Sequence, residues 1–315
     1  LTLLILGCGL LKGNISVQVG GLYGENDGAG RTRGFAIFST GINIGAVAGP
    51  LAVGLVAQVW GWHAGFALAG VLMLAALVTY LAGYRHLPEP ASKTHAAAPA
   101  APLSAHQWRV VAGLIAVMAI TVFQSIAYSQ NLNIGLIWVD QKVDLTFGGF
   151  HVPVAWFGSI DSAASILSIP LLIALWQRQA QRGREPGEIG KIALGAWMAA
   201  AANLLLMAAC LMSDRVSVVY PIVYDIILGV AFLYYWPTLL ALVAGAAPPK
   251  VRATLMGLAF ASNFVANTLI GWIGGFYEHT TPAAFWGLHA AIAAAGGITA
   301  LVLLRPLERL LRAES

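Results

Sequence analysis

Long apolar runs alternate with short polar connections along the whole chain. Nine of them, roughly 1–23, 34–60, 63–84, 109–138, 153–177, 189–212, 216–246, 252–276 and 281–304, are apolar enough to span a bilayer. A helix rises about 1.5 Å per residue, so about 20 residues cross a hydrocarbon core of about 30 Å. The first, fourth and seventh runs exceed that length and are expected to tilt or project from the core. The pattern predicts an all-α membrane protein with nine transmembrane helices.

The positive charges orient it. Of 17 Lys and Arg, fourteen fall on alternate connections and the C-terminal tail: Arg31, Arg33, Arg85, Lys93, Arg109, Arg178, Arg182, Arg184, Lys191, Lys250, Arg252, Arg305, Arg309 and Arg312. The intervening connections hold only Lys142 and Arg215. Cytoplasmic loops carry the excess of Lys and Arg, so the chain is expected in the inner (plasma) membrane, multi-pass, with a cytoplasmic C-terminus. Composition agrees, with 59% apolar and 10% charged residues against about 25% charged in soluble domains. The net charge of +4 is assigned to loops facing anionic lipid headgroups, with no nucleic-acid partner. Cys8 and Cys210 lie inside apolar runs, where packing is the expected role rather than a disulfide or a metal site.

One segment reads as a linker. Residues 87–107 are rich in Pro, Ala and Ser and predict a flexible cytoplasmic stretch without packed structure. Three spans precede it (1–86) and six follow it (108–315). A transporter of two six-helix bundles places such a loop between its halves. The odd span number, the 3+6 split and an apolar start at Leu1 therefore predict that three helices precede this sequence and that it cannot transport alone.

The chemistry is expected at charges inside spans, since a charge at the bilayer centre costs about 2.5–3.5 kcal/mol or more. Lys12 lies mid-span among Gly9, Gly13 and Asn14; Asp161 lies within the fifth span; Asp225 lies toward the outer end of the seventh. For Lys12 the plain alternative is snorkelling to an interface, for Asp161 a polar contact between helices, and for Asp225 solvation at the outer surface. An amine and a carboxylate in one cavity would suit the two ends of a zwitterion, and either could carry a proton. Other polar and aromatic positions recur at similar depth: Asn43 in FSTGINIGA, Gln124 in VFQSIAYSQNLN, Phe232 and Trp236 in FLYYWP, Phe260 and Ser262 in FASNFVAN. Taken singly, such side chains are equally interhelical contacts or, for the Tyr234–Trp236 aromatics, interfacial belt residues. Together they point to a polar central cavity. No H-x-x-x-H spacing occurs, the one D-x-x-x-D (Asp140 and Asp144) falls in a connection, and Asp161 and Asp225 lie in different spans, so a metal site or a membrane-embedded enzyme is not expected.

These residues resemble the proton-dependent oligopeptide transporters of the major facilitator superfamily. GCGLLKGNISVQVGGLYGEND resembles that family's fourth helix, G-x-G-x-x-K-P-N-V-S; RGFAIFSTGINIGAVAGPL and GWHAGFALAG resemble its fifth-helix signature and the opening of its sixth. FHVPVAWFGSID resembles the entry to the eighth helix and APPKVRATLMGLAF the connection from tenth to eleventh. The resemblance implies a major facilitator fold in which the nine spans are helices four to twelve of twelve. It further implies proton-coupled symport of di- and tripeptides by alternating access, with protons as coupling ion, no cofactor, and a monomer as the working unit.

Carried over by position, Lys12 matches the lysine associated with the substrate carboxylate and with coupling, and Asn43 the asparagine that contacts peptide. Gln124 stands where an aromatic residue usually lines the cavity. The seventh-helix glutamate of F-W-A-x-x-E-Q has no counterpart in FQSIAYSQ. Aligned on Pro237, Phe232 replaces the tenth-helix glutamate and Trp236 the serine of G-E-x-x-x-S-P, while Asp161 replaces an eighth-helix asparagine. Asp161 is therefore the expected site for the substrate amine and, with Lys12, for the coupled proton. Bulky Phe232 and Trp236 leave open a smaller, non-peptide organic solute.

Overall fold

Eight helices long and apolar enough to cross a membrane occur among the residues described by the computed structural model, which are 28–87, 102–147, 149–311 and the isolated positions 7, 15, 18, 19 and 22. Lys12 and most of the first predicted span lie outside the described residues. The chain divides into two compact units, Leu1–Pro99 and Ala100–Ser315.

In the first unit, α1 (Gly28–Trp60) and α2 (Trp62–Gly83) pack as an antiparallel pair. Gly61, at φ 87°, makes the turn between them, a conformation that a side chain would oppose. Gly65 lets the two backbones approach, since a Cβ there would stand 2.9 Å from the Ala57 Cβ. The tryptophans flanking the turn, Trp60 and Trp62, are exposed, as are Phe66 and Leu74.

The second unit holds α3 (Ala105–Ser129), α4 (Ile134–Lys142), α5 (Phe157–Gln181), α6 (Glu188–Met212), α7 (Val219–Ala246), α8 (Arg252–Gly274) and α9 (Pro282–Leu311). The start of α3 lies inside the segment read as linker. Ser104 Oγ accepts from the Gln107 backbone N–H at 3.2 Å and the Gln107 side chain accepts from the Ser104 N–H at 3.0 Å. This reciprocal cap satisfies two donors that a helix start otherwise leaves open. The end of the predicted span also moves. Rather than running to 138, α3 stops at Ser129, passes through a 3-10 turn over Gln130–Leu132, and restarts as α4 after Asn133. Polar Gln130, Asn131 and Asn133 interrupt the apolar stripe, and Gly135 admits the Gln130 carbonyl to within 3.2 Å of where a Cβ would stand. A short antiparallel hairpin, β1 (Thr146–Phe147) and β2 (Phe150–His151), precedes α5.

The core centres on α6, which packs against α7 and α9. Its inward residues are small, with Ala193, Ala196, Ala199, Ala200 and Ala202 almost fully buried. In lipid the hydrophobic effect does not drive helices together, and close backbone approach through small residues does. At one end of the bundle Trp138, Tyr224, Phe285 and Trp286 form an edge-to-face cluster with centroids 5.5–5.7 Å apart. α5 packs on α7, and α8 on α3. The outward faces carry Leu167, Leu171, Met212, Phe264, Trp272 and Val302, each more than 60% exposed, a surface suited to hydrocarbon.

Candidate functional site

Within the second unit the site assembles where α3 ends and α5 and α7 begin. Asp161, the fifth residue of α5, is 4% exposed. Its Oδ2 accepts from the Tyr128 hydroxyl of α3 at 2.6 Å, and its Oδ1 from the Ser162 N–H at 2.7 Å and the Ser162 hydroxyl at 3.3 Å. Donors on both oxygens favour the charged carboxylate, and a hydrogen bond to a charged group contributes about 1.5–3 kcal/mol.

Asp161 is held close to α7 by backbone contact. A Cβ on Gly229 would overlap the Asp161 carbonyl oxygen and crowd Ala164, and the Ser165 hydroxyl donates to the Gly229 carbonyl at 2.7 Å. One helical turn before Gly229 stands Asp225. Of the two readings open for Asp225, the solvated outer residue is not met: Asp225 is 1% exposed and lies within electrostatic reach of Asp161. Position along a span does not report burial. The Asn131 amide from that turn interacts with the Asp225 carboxylate, yet Asp225 Oδ1 and Asn131 Nδ2 each lack a hydrogen bond of good geometry. Neither acid has an ion-pair partner among the described residues.

From Asp161 a run of rings leads away along α7. The Tyr128 ring stacks on Phe232 at 5.3 Å, Phe232 meets Tyr235 edge-on at 5.8 Å, and Tyr235 meets Trp236 at 6.4 Å. Trp236 then meets Phe260 of α8 at 5.3 Å. Tyr235 is buried and receives the Ser125 hydroxyl at 3.5 Å. The aromatics of FLYYWP thus face protein, not a membrane interface. α7 runs unbroken through Pro237.

Four of the expected site residues (Asp161, Phe232, Trp236 and Phe260) are joined in this way. Gln124 is buried between helices, with its Nε2 donating to the Ala231 carbonyl at 3.3 Å and lying 2.7 Å from where a Gly195 Cβ would stand. Ser262 donates to the Ala259 carbonyl at 2.7 Å, and Asn43 is half-buried in the first unit. Tyr128, Asn131 and Tyr235 are site residues that the sequence reading does not single out, and Asp225 is a candidate there with no place among the binding residues, although a signal is present. Gln124, Tyr128 and Asn131 recur at i, i+4 and i+7, and Asp225, Gly229, Phe232 and Trp236 at i, i+4, i+7 and i+11, so each set lies on one helix stripe.

The chain matches PTR2, the POT family, over residues 1–103 and 95–287. It is 25% identical over 378 residues to a di-/tripeptide transporter of Lactococcus lactis subsp. cremoris, covering 99% of this chain and 75% of that protein. It is 26% identical to the peptide transporter YePEPT of Yersinia enterocolitica, covering 87% of this chain and 67% of that one. Among solved structures, a peptide transporter POT in complex with sulfate superposes with a TM-score of 0.89 at 23% identity, covering 99% of this chain and 75% of that chain. A POT family transporter in complex with 5-aminolevulinic acid gives a TM-score of 0.85 at 21% identity, covering 96% and 75%. The fold is thus all-α, of the major facilitator type, and its relatives are transporters and not enzymes.

Proposed function

Because the chain belongs to the POT family, we propose that it carries di- or tripeptides, or similar small zwitterions, across the inner membrane together with protons. The observation that carries this reading is the buried Asp161 carboxylate, tied by Tyr128 to a run of aromatic rings. A peptide offers one ammonium group, one carboxylate and apolar side chains. Asp161 receives the ammonium, which displaces the Tyr128 hydroxyl from the carboxylate, while Phe232, Trp236 and Phe260 flank the side chains. Lys12 receives the substrate carboxylate and, with Asp161, takes part in proton coupling; Asn43, Gln124 and Ser262 supply neutral polar contacts. Alternating access of the two bundles then exposes the site to either side. A proton moving inward gains about 2.3 kcal/mol per 100 mV.

A second reading is a non-peptide amino acid of similar length. Phe232 and Trp236 crowd the site with rings, and a relative of this fold binds 5-aminolevulinic acid.

The test is uptake by the full-length protein reconstituted in liposomes under an inward proton gradient, with a labelled dipeptide and labelled 5-aminolevulinic acid in parallel. Saturable dipeptide uptake that collapses with the gradient is expected; uptake of the amino acid alone selects the second reading. Asp161→Asn should abolish accumulation and weaken substrates bearing a free amine. Full accumulation with unchanged pH dependence in that variant would remove Asp161 from the mechanism.

A further inference from the structure

Asp225 is absorbed by none of the roles above, and its setting differs from that of Asp161. Both acids are buried on helices that meet where Gly229 admits the Asp161 carbonyl, one turn from Asp225, and neither has an ion-pair partner among the described residues. The groups interacting with one or other acid are Tyr128 from α3, Asn131 from the turn after it, and Tyr224 beside Asp225 on α7. Tyr128 is reached in turn by Tyr235. None of these is a cation. Two buried carboxylates within electrostatic reach of each other in a medium of low dielectric do not both stay ionised.

Their hydrogen bonds divide the labour. Asp161 accepts from Tyr128 and Ser162 on both of its oxygens, the pattern of a charged carboxylate. Asp225 keeps Oδ1 unpartnered at 1% exposure, and the hydroxyl of Tyr224 beside it is likewise unpartnered. An ionised oxygen without donors is the costly arrangement, and a protonated one is not.

We propose that Asp161 and Asp225 form one proton-binding pair across α5 and α7, with the transported proton on Asp225 and the charge on Asp161. This rests on the reading of the chain as a proton-coupled transporter of amine-bearing solutes. It makes the pair the element that enforces coupling. With an ammonium group on Asp161 and a proton on Asp225, the site is neutral and can be enclosed. With the ammonium bound and no proton on Asp225, one net negative charge remains beside the substrate, and enclosing it in the bilayer is unfavourable. The proton forms an O–H bond with an Asp225 oxygen on one side of the membrane, and that bond breaks to water on the other; no further reactant is needed.

The test compares accumulation with exchange in the same liposomes. Counterflow of substrate requires no net proton movement, whereas accumulation does. Asp225→Asn keeps the site neutral without a transferable proton. It should therefore retain counterflow, with accumulation falling to a ratio of about one from the roughly fiftyfold that about 2.3 kcal/mol per 100 mV allows. Accumulation in Asp225→Asn equal to that of the parent, with the same pH dependence, overturns the pair. A parent protein driven by a sodium gradient and indifferent to pH overturns both the pair and the proton-coupled reading beneath it. A parent driven by protons while the variant is unaffected overturns the pair alone. Should Asp225→Asn fail to insert, the parent itself decides the question by labelling with dicyclohexylcarbodiimide, which reacts with protonated acids in apolar surroundings. Mass spectrometry should place the adduct on Asp225, diminishing as pH rises. An adduct on Asp161 in place of Asp225, or none at any pH, overturns the assignment.

Discussion

At Tyr128 the hydroxyl and the ring face different partners: one donates to Asp161 and the other stacks on Phe232. Removing the hydroxyl alone should therefore separate chemistry from packing. Tyr128→Phe keeps the stack, whose worth is about 0.5–1.5 kcal/mol, and thermal stability should change little. It also removes the donor that a substrate ammonium must displace. Affinity for substrates with a free amine should rise, by about tenfold if ~1.5 kcal/mol of hydrogen bonding is relieved. Ligand-dependent thermal shifts in detergent check this, and weaker binding would show that the hydroxyl supports the bound amine instead. The acid at 161 was legible as an anomaly of charge within an apolar span. Its tyrosine partner was not, because a tyrosine in a membrane helix is ordinary, and only the side-chain contact distinguishes this one.

Helices were legible from their apolar runs, and their irregularities were not. The break after Ser129 falls at Gln130, Asn131 and Asn133, polar residues that within an apolar run are equally read as contacts between helices. Only the packed fold shows that Asn131 of this turn meets Asp225, and that Asp225 is buried and not at the surface that its place along α7 had suggested. The crossing of α5 and α7 is likewise a property of pairs of residues. Gly229 looks like any helix glycine until the Asp161 carbonyl is found against it. Since that neighbour is backbone and cannot swing aside, Gly229→Ala should push the two helices apart and cost about 1–3 kcal/mol. The melting temperature should fall, and proton-driven accumulation should fall with it, because both acids lie within a turn or two of the crossing. An unshifted melting temperature would mean that the helices slide past each other without strain.

For the molecule as a whole, the distribution of Lys and Arg gives an orientation that labelling can read directly. With Cys8 and Cys210 replaced by Ala, a cysteine at exposed Arg215 should react with a membrane-impermeant maleimide on intact cells, and one at exposed Arg182 only after permeabilisation. The reverse pattern would invert the molecule and place the acid pair near the cytoplasm. The capping pair at Ser104 and Gln107 has a consequence of another kind. A helix that begins by its own local bonds needs no instruction from the chain ahead of it, so the second unit is free to tolerate change in the stretch before it. Here lies a seam along which the protein can be opened and its halves exchanged between relatives. A protease site inserted between residues 93 and 98 should leave uptake intact both before and after cleavage, with the two fragments still copurifying. Loss of uptake on cleavage would show that the seam is also a tether.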